Sequence, residues 1–416
     1  LRLDKRYAED LYLNVVPICV VDDSPIVGGN GEAIEYAVKM LRFPEGSLLS
    51  QRMESDRLTT GEVFELARCI ADFHQTALRV ECCEKKCELA TIDVVFRNAT
   101  DNLEHLEGIV SGSTKQTLRI LGEWTRAYFD QHRQVFAQRS CNGFIRECHG
   151  DLHLDNIVYW NGRLIPFDGI EFNDTFRWID VVNDASFAAM DFAARGRTDL
   201  CRSFINAYLE RTGDHASLVV LRWYLVYRSL IRAKVAAIRY GQSNEDDLLD
   251  DCRSHIELAY RFSLVNEPRL WITRGVSGSG KTTASESIVQ QYGAIRLRSD
   301  IERKRHFGLS ATDRPSGSQI DEIYSESATR ATYTRLQRMA KCILRSGYPV
   351  VVDATFLKRA DRDAFRVLAQ NEGAEFGILD CHADPQTLRQ RITDRMHENR
   401  DASDADLSVL DRQLDA

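Results

Sequence analysis

The segment Gly275–Thr282 constrains the fold of this 416-residue chain more than any other. It has the pattern Gly-x-x-x-x-Gly-Lys-Thr between a short apolar run (270–273) and a helical pattern that ends at Gly293, and so predicts a strand, a phosphate-binding loop and a helix. Lys281 is expected to reach the β and γ phosphates and Thr282 to hold Mg²⁺. A glycine-rich turn without a ligand is the alternative. The other candidate nucleotide-binding residues of the loop are Gly275, Gly278, Ser279 and Gly280.

Two carboxylates follow predicted strands downstream of this loop. Asp300 comes after the run 295–297, and Asp353 ends the apolar run 350–352. At the carboxyl edge of a parallel sheet, Asp353 would hold Mg²⁺ and Asp300 would accept a proton from an acceptor hydroxyl. Arg303, three residues later, would hold the acceptor. The alternative for Asp300 is a helix N-cap, because it precedes a helical pattern.

A third group of basic residues lies on a helix predicted to begin after Asp384-Pro385. These side chains would close over the γ phosphate, or they would form a solvated basic face. The candidates are Arg389, Arg391 and Arg395.

Over about residues 270–416 these motifs resemble the small P-loop kinases grouped with polynucleotide kinase, gluconate kinase and zeta-toxin-like enzymes. The resemblance rests on the glycine loop, Asp300-x-x-Arg303, Val352-Asp353-Ala-Thr355 and the arginine helix. It implies an α/β domain with a parallel sheet that uses ATP and Mg²⁺ to phosphorylate a hydroxyl group. Arg274 departs from the pattern, since an apolar or small residue usually precedes the loop.

A second motif, His149-Gly-Asp-Leu-His-Leu-Asp-Asn156, lies in the first two-thirds of the chain. Phosphoryl transfer needs a carboxylate beside the attacking hydroxyl and oxygen ligands for Mg²⁺. Asp151 is expected to be the catalytic base. Asn156, five residues later, and Asp168, after a hairpin turn at Asn161-Gly162, are expected to be the metal ligands. The alternative is a set of loop-capping carboxylates and Asx turns.

With these residues the chain resembles the aminoglycoside phosphotransferase-like kinases over about residues 1–262. The resemblance implies the same catalytic base and the same two Mg²⁺ ligands. It also singles out the loop-shaping His149 and His153 and the acidic Glu171.

The first 46 residues predict the later part of a kinase N-lobe. The runs 15–21 and 34–41 predict strands, the segment 42–46 predicts a hinge, and the charged opening predicts a helix. Lys39 ends a Tyr-Ala-Val-Lys run like the phosphate-binding strand of protein kinases, yet the hinge-like segment follows at once where a long helix is expected. We therefore favour a phosphate-binding Lys upstream of Leu1 over Lys39, and expect a chain truncated at both ends.

Three residues are predicted to be structural. His74 lies on the apolar face of a helix predicted over 60–78, and is expected to be a hydrogen-bonded core residue. Asp180 and Asp184 follow the metal motif, where the resembled family has aspartates that anchor the catalytic loop.

Composition narrows the possible partners and compartments. The net charge of −8 argues against a nucleic-acid partner. The most apolar helical stretch (218–238) carries four basic residues, so no membrane span and no membrane partner are predicted. The eleven cysteines are scattered except for Cys82, Cys83 and Cys87, and no second ligand pair at zinc-site spacing accompanies these three. Reduced thiols in a cytoplasmic protein are therefore expected.

The sequence thus predicts an α/β protein. An α+β kinase-like domain would occupy 1–262, a linker 263–269, and a P-loop domain 270–416. We expect an ATP- and Mg²⁺-dependent bifunctional transferase acting on hydroxyl groups of small molecules. Two alternatives stay open, namely that the first domain is a non-catalytic binding or regulatory module, and that the chain is a nucleic-acid end kinase. The acceptors and the oligomeric state are not specified.

Overall fold

The computed structural model describes residues 1–80, 92–311, 313–315, 318–398 and 403–414. By its internal contacts the chain forms two compact units, Leu1–Arg195 with Trp223–Ala259 and Gly196–Arg222 with Tyr260–Ala416. Cys82, Cys83 and Cys87 lie outside the described residues. In the described part of the chain, no helix has the length and apolar character needed to cross a membrane.

The first unit begins with a three-stranded antiparallel sheet of order β2-β1-β3. Its strands are β1 (Tyr12–Val21), β2 (Ser24–Val27) and β3 (Ala33–Met40). Strand β2 lies between the two predicted strands, in a segment for which no strand was predicted. It forms because Asp22 and Asp23 both have positive φ and close a tight two-residue hairpin between Val21 and Ser24.

The prediction of a helix in the opening segment is wrong, because only a short helical turn forms there. The structure has a three-residue 3-10 turn, Asp4–Arg6, and strand β1 begins six residues later. The charges of this segment are used in tertiary contacts, since Arg2 and Arg6 both pair with Glu147. Its apolar residues Ala8 and Leu11 are buried in a cluster with the hairpin that follows the His149 motif.

Two pairs of short antiparallel strands frame that motif. Strand β4 (Ile145–Glu147) precedes it and pairs with β7 (Trp178–Asp180). Strands β5 (Ile157–Trp160) and β6 (Arg163–Pro166) follow it as a hairpin. The predicted hairpin is confirmed, and its turn uses Asn161 and Gly162 at positive φ.

Helices supply most of the remaining core of the first unit. Helix α2 starts with a capping box between Thr59 and Glu62 and buries the face that the periodicity predicts, including His74. The helices up to residue 195 are α1 (Leu49–Glu54), α2 (Thr60–Thr76), α3 (Ile92–Glu107), α4 (Gly112–Cys141), α5 (Asp174–Arg177) and α6 (Val181–Ala194). They are followed by α7 (Thr198–Thr212), α8 (Leu218–Ser243) and α9 (Asp246–Ser263).

The second unit is built on a four-stranded parallel sheet of order β11-β8-β10-β9. The mixed α/β class with a parallel sheet in the C-terminal part is therefore confirmed. The strands are β8 (Arg269–Arg274), β9 (Ile295–Arg298), β10 (Val350–Asp353) and β11 (Glu375–Asp380). The helices are α10 (Lys281–Tyr292), α11 (Ser299–His306), α12 (Ser318–Ile323), α13 (Glu326–Arg345), α14 (Arg359–Asn371), α15 (Pro385–Glu398) and α16 (Leu407–Leu414).

Helix α7 also belongs to this second unit. The Asn206 side chain accepts from the backbone N–H of Arg296 at 2.7 Å and donates to the carbonyl of Ala294 at 3.1 Å. The buried guanidinium of Arg296 pairs with Glu210 and Glu286. The segment 196–222 thus covers strand β9, while the domain boundaries drawn at 262 and 270 stay a prediction.

We predict that Asn206→Ala destabilises the second unit by about 1–3 kcal/mol, because a buried backbone N–H of strand β9 loses its acceptor. Urea unfolding followed by tryptophan fluorescence measures the change, since Trp271 lies in the sheet. The control is Thr198→Ala on the exposed start of the same helix. Equal losses of unfolding free energy in the two variants would contradict a stabilising role of the Asn206 contact.

Candidate active sites

The His149 motif of the first unit forms a tight loop between β4 and β5. Gly150 has φ +89°, and a Cβ there would lie 2.7 Å from the carbonyl oxygen of Phe176. No larger residue fits without a shift of the backbone. His149 is buried, and its Nε2–H donates to the carbonyl of Phe167 at 2.8 Å, which ties the loop to the metal motif.

The buried carboxylate of Asp184 holds the start of this loop. It accepts the backbone N–H of His149 at 3.1 Å and of Gly150 at 2.8 Å, and His74 Nε2 lies 3.1 Å away. Burial raises the pKa of Asp184, but the hydrogen bond from His74 and the charges of His74, His149 and Arg228 outweigh it and hold the pKa at about 2. The predicted structural roles of His74 and Asp184 agree with these contacts.

Further contacts fix the rest of the loop. Asp191 accepts the backbone N–H of Leu154 at 2.8 Å, and Arg228 donates to the carbonyl of Gly150 at 3.0 Å. Asp180 caps helix α6 and binds Arg139 through both carboxylate oxygens, so it is structural as well. The loop is therefore held from several elements of its own unit.

Asp151 and Asn156 lie together at the centre of the site. Asn156 Nδ2 donates to the backbone carbonyl of Asp151 at 3.0 Å and to its carboxylate at 3.2 Å. His153 Nε2 lies 3.4 Å from the same carboxylate. Burial raises the pKa of Asp151, yet the hydrogen bond and charge of His153 lower it below its ordinary value on balance. The carboxylate is thus ionised and able to accept a proton.

The hairpin brings the metal motif to this end of the loop. The backbone N–H of Phe167 donates to the carbonyl of Asn156 at 2.9 Å, and Asp168 is the next residue. Asp168 is exposed and has φ +60°, and its own N–H donates to the Tyr12 hydroxyl at 2.9 Å. Glu171, two residues beyond Gly169, is exposed as well. The backbone of Asn156 therefore lies next to the backbone that leads into Asp168, so both predicted metal ligands are at the same end of the hairpin.

Lys39 lies near the carboxyl end of strand β3, and the hinge-like segment 42–46 follows this strand. Lys39 is exposed and stands opposite Asn14, and no helix separates Met40 from helix α1. A cavity of about 430 Å³ adjoins this segment. Its lining consists of Met40, Leu41, Arg42, Phe43, Pro44, Glu45, Leu48 and Gln51.

In the second unit, three glycines of the loop 275–282 adopt backbone conformations with positive φ, which glycine favours. Gly275, Gly278 and Gly280 have φ of +147°, +81° and +93°. A Cβ on Gly275 would lie 2.4 Å from the carbonyl oxygen of Cys381, and one on Gly278 would lie 3.0 Å from that of Leu388. The hydroxyl of Ser279 is buried and has no hydrogen-bond partner among the described residues.

The ends of two neighbouring strands bring the loop and Asp353 together. Thr282 Oγ1 donates to the Asp353 carboxylate at 2.9 Å. Lys281 Nζ donates to the carbonyl of Val276 at 2.8 Å. Burial lowers the pKa of Lys281, although the carboxylates of Asp353 and Asp300 oppose the shift. The structure thus brings Thr282 and Asp353 into contact beside Lys281, and their roles towards Mg²⁺ and phosphate stay a prediction.

Asp300 lies in the first turn of helix α11 and not at its N-cap, which is Arg298. The capping alternative is therefore not supported. Burial raises the pKa of Asp300, whereas Arg298 and Arg303 act in the opposite direction. Arg303 is buried and donates from Nη1 to the carbonyl of Ile323 and the hydroxyl of Thr329. Within the described residues its buried Nε has no hydrogen-bond partner.

The three arginines of helix α15 have different partners. Arg391 donates to the carbonyl of Gly278 in the loop at 3.1 Å. Arg395 donates to the carbonyl of Ala405, and its charge acts on Lys281. Arg389 is exposed and forms an ion pair with Asp411. Of the three, Arg391 contacts the loop, Arg395 acts on Lys281 through its charge, and Arg389 pairs with helix α16.

Motif reasoning missed three residues of the second unit that have polar contacts in or near this site. Arg298 ends strand β9 in register with Asp353, and its Nε lies 3.7 Å from that carboxylate. The fully buried Lys304 pairs with Asp404 at 2.9 Å. Gln413 accepts a hydrogen bond from the glycine loop. Arg298 could have been recognised from its place at the end of a predicted strand. The positions of Lys304 and Gln413 depend on long-range contacts, which the local sequence does not indicate.

Comparison with known proteins agrees with the second site. The sequence model of the AAA domain family matches residues 270–416. With the loop geometry, this match defines a P-loop nucleotide-binding domain of the kinase or NTPase class, as predicted.

Relatives of the whole chain exist in mycobacteria. Uncharacterized proteins of Mycobacterium bovis and of two strains of Mycobacterium tuberculosis are 28% identical over 405 residues, which is 96% of this chain and 78% of each relative. This similarity covers both units.

Two solved structures are similar over about half of the chain. A choline kinase from Cryptosporidium parvum has 9% identity, a TM-score of 0.36, and coverage of 54% of this chain and 70% of that one. An ethanolamine kinase from Plasmodium vivax has 14% identity, a TM-score of 0.35, and coverage of 55% and 66%. The kinase family of residues 1–262 stays a prediction.

We predict that Asp184→Asn weakens the pH dependence of stability in acid. Because the folded-state pKa is about 2, below the ordinary 3.8, ionised Asp184 stabilises the fold above about pH 4, and this stabilisation is lost as the pH falls towards 2. The unfolding free energy in urea at pH 5 and pH 3 measures it. The exposed Asp10→Asn should keep the wild-type dependence. An unchanged slope in Asp184→Asn would contradict the assignment.

Proposed function

We propose that this chain is an ATP- and Mg²⁺-dependent phosphotransferase with one kinase-type site in each unit, acting on hydroxyl groups of small molecules. The observation that carries the proposal is the hydrogen bond between Thr282 and Asp353 beside Lys281, in a glycine loop that follows a parallel strand. Hydroxyl and carboxylate oxygens are the ligands that Mg²⁺ prefers.

The residues of the second site fit the β and γ phosphates of ATP. The half-buried Lys281 donates to a backbone carbonyl and lies near carboxylates, and the buried hydroxyl of Ser279 has no hydrogen-bond partner in the part of the chain that the structure describes. ATP with Mg²⁺ would supply the phosphoryl group and the charge that polarises it. Lys281 and Arg391 would bind its phosphates, and Thr282 and Asp353 would hold the metal.

On the acceptor side of this site, Asp300 would take the proton from the attacking hydroxyl. It lies in the first turn of helix α11, which follows β9, the strand next to that of Asp353. The buried Arg303 lies one turn further along the helix. Its Nε has no hydrogen-bond partner in the described ranges of the chain, so an acceptor oxygen could satisfy it. The acceptor would then lie between Asp300 and Arg303.

In the first site, Asp151 would be the base, and Asn156 and Asp168 would hold Mg²⁺. The ionised carboxylate of Asp151, its hydrogen bond with Asn156 and the adjacent start of the metal motif support these roles. The cavity beside the segment 40–45 offers apolar space for a nucleotide base. The acceptor proposed for each site is a small molecule, because the net charge of −8 disfavours nucleic acid.

A second candidate function is that only the P-loop unit transfers phosphate and the first unit binds a ligand. The observation that favours it is the exposed position of Lys39 on strand β3, opposite Asn14. A lysine on strand β3 would take part in phosphate binding at the first site only if its ammonium group pointed towards the loop of Asp151.

We predict two MgATP sites by calorimetry, because each unit has its own set of oxygen ligands. Lys281→Ala should abolish one of them and Asp168→Ala the other, whereas Lys358→Ala, an exposed lysine of the second unit, should leave both. A single site abolished by Lys281→Ala would favour the second candidate function. No MgATP binding by the wild-type chain would contradict the proposal.

We predict that Asp300→Asn lowers phosphoryl transfer by the second unit about 10²–10⁴-fold with unchanged MgATP affinity. Because the pKa of Asp300 is raised, the base is protonated at low pH, and the transfer rate should rise with pH through this pKa and then level off. Mass spectrometry of a panel of polyols and sugars incubated with ATP detects the product. The exposed Asp321→Asn is the control, and loss of MgATP binding in Asp300→Asn would argue against a base.

A further inference from the structure

The last described helix, α16, packs against the glycine loop. Its buried Leu410 forms a small apolar cluster with Leu388 and Ile392 of helix α15, and Val276 of the loop packs against that cluster. The exposed ion pair between Arg389 and Asp411 joins the same two helices. The loop therefore shares a core with a segment more than 130 residues away in sequence.

One polar contact from this helix reaches the loop backbone. The side-chain oxygen Oε1 of Gln413 accepts the backbone N–H of Ser277 at 2.7 Å. Ser277 is buried, with 7% of its surface exposed. A buried N–H without an acceptor is costly, so this carboxamide stabilises the conformation of the loop in which the Ser277 N–H points at helix α16.

Helix α15 lies against the next residue, Gly278. Arg391 donates to its carbonyl at 3.1 Å, and the carbonyl of Leu388 would lie 3.0 Å from a Cβ at this position. Helices α15 and α16 thus hold both the N–H of Ser277 and the carbonyl of Gly278. These contacts hold the centre of the loop between strand β8 and helix α10 in place.

We propose that Gln413 is a positioning residue for nucleotide binding, which holds the glycine loop in its phosphate-binding shape from helix α16. The inference rests on the proposed ATP site of the second unit. Gln413 acts through the loop and does not itself contact the nucleotide. Helix α16 is then a part of the nucleotide site, although its sequence carries no nucleotide-binding motif.

The test uses side chains of matched size. Gln413→Met keeps the length of the side chain and removes the acceptor, whereas Gln413→Glu keeps an acceptor oxygen. Arg412→Ala changes an exposed neighbour on the same helix. MgATP affinity is measured by calorimetry, and hydrogen exchange is measured for the loop peptide and for a peptide of strand β9.

Gln413→Met should weaken MgATP binding about tenfold and speed exchange in the loop, with exchange in β9 unchanged. Gln413→Glu should restore slow exchange in the loop, and Arg412→Ala should behave as the wild type. Unchanged affinity and exchange in Gln413→Met would overturn the inference, as would equally fast exchange in β9, which indicates general destabilisation. If Lys281→Ala removes neither of the two predicted MgATP sites, the proposed site of the second unit itself fails, whatever the Gln413 variants do.

Discussion

Backbone N–H groups in buried loops need acceptors, and both candidate sites depend on how this need is met. In the first unit, the carboxylate of Asp184 accepts two successive N–H groups at the start of the His149 loop. In the second unit, three glycines at positive φ shape the loop, and Gln413 accepts one of its N–H groups. Side chains far away in sequence thus decide where the chemical groups of each site lie.

The charges of each site follow from this placement. Asp151 lies beside His153 and Asn156, so its carboxylate stays ionised in spite of partial burial. Lys281 is half-buried beside Asp353, and burial lowers its pKa while the carboxylate opposes the shift. A cation and a carboxylate held together in this way are suited to a ligand that carries both phosphate groups and Mg²⁺.

The sequence predicted those parts of the structure in which chemistry restricts residue identity. The glycine loop, the Asn161-Gly162 hairpin and the strand that ends at Asp353 could be read from local patterns, because only a few residue types allow those backbones. The short strand β2 was missed because Asp22 and Asp23 form its turn without glycine.

Long-range contacts account for the other differences. The opening segment looked helical, yet Arg2 and Arg6 extend to Glu147. Helix α7 has an ordinary amphipathic pattern, and nothing local in it predicts that Asn206 binds strand β9. The role of Gln413 depends on a partner 136 residues away. Such contacts depend on packing between distant elements, which no short pattern encodes.

The measurement that tests the central claim most directly is transfer of the labelled γ-phosphoryl group of ATP to a panel of small hydroxyl compounds. It compares the wild-type chain with Asp151→Asn, Asp300→Asn and the double variant. The account predicts that each single variant loses a different set of labelled products and that the double variant forms none. Labelled products formed by the double variant at the wild-type rate would contradict the account.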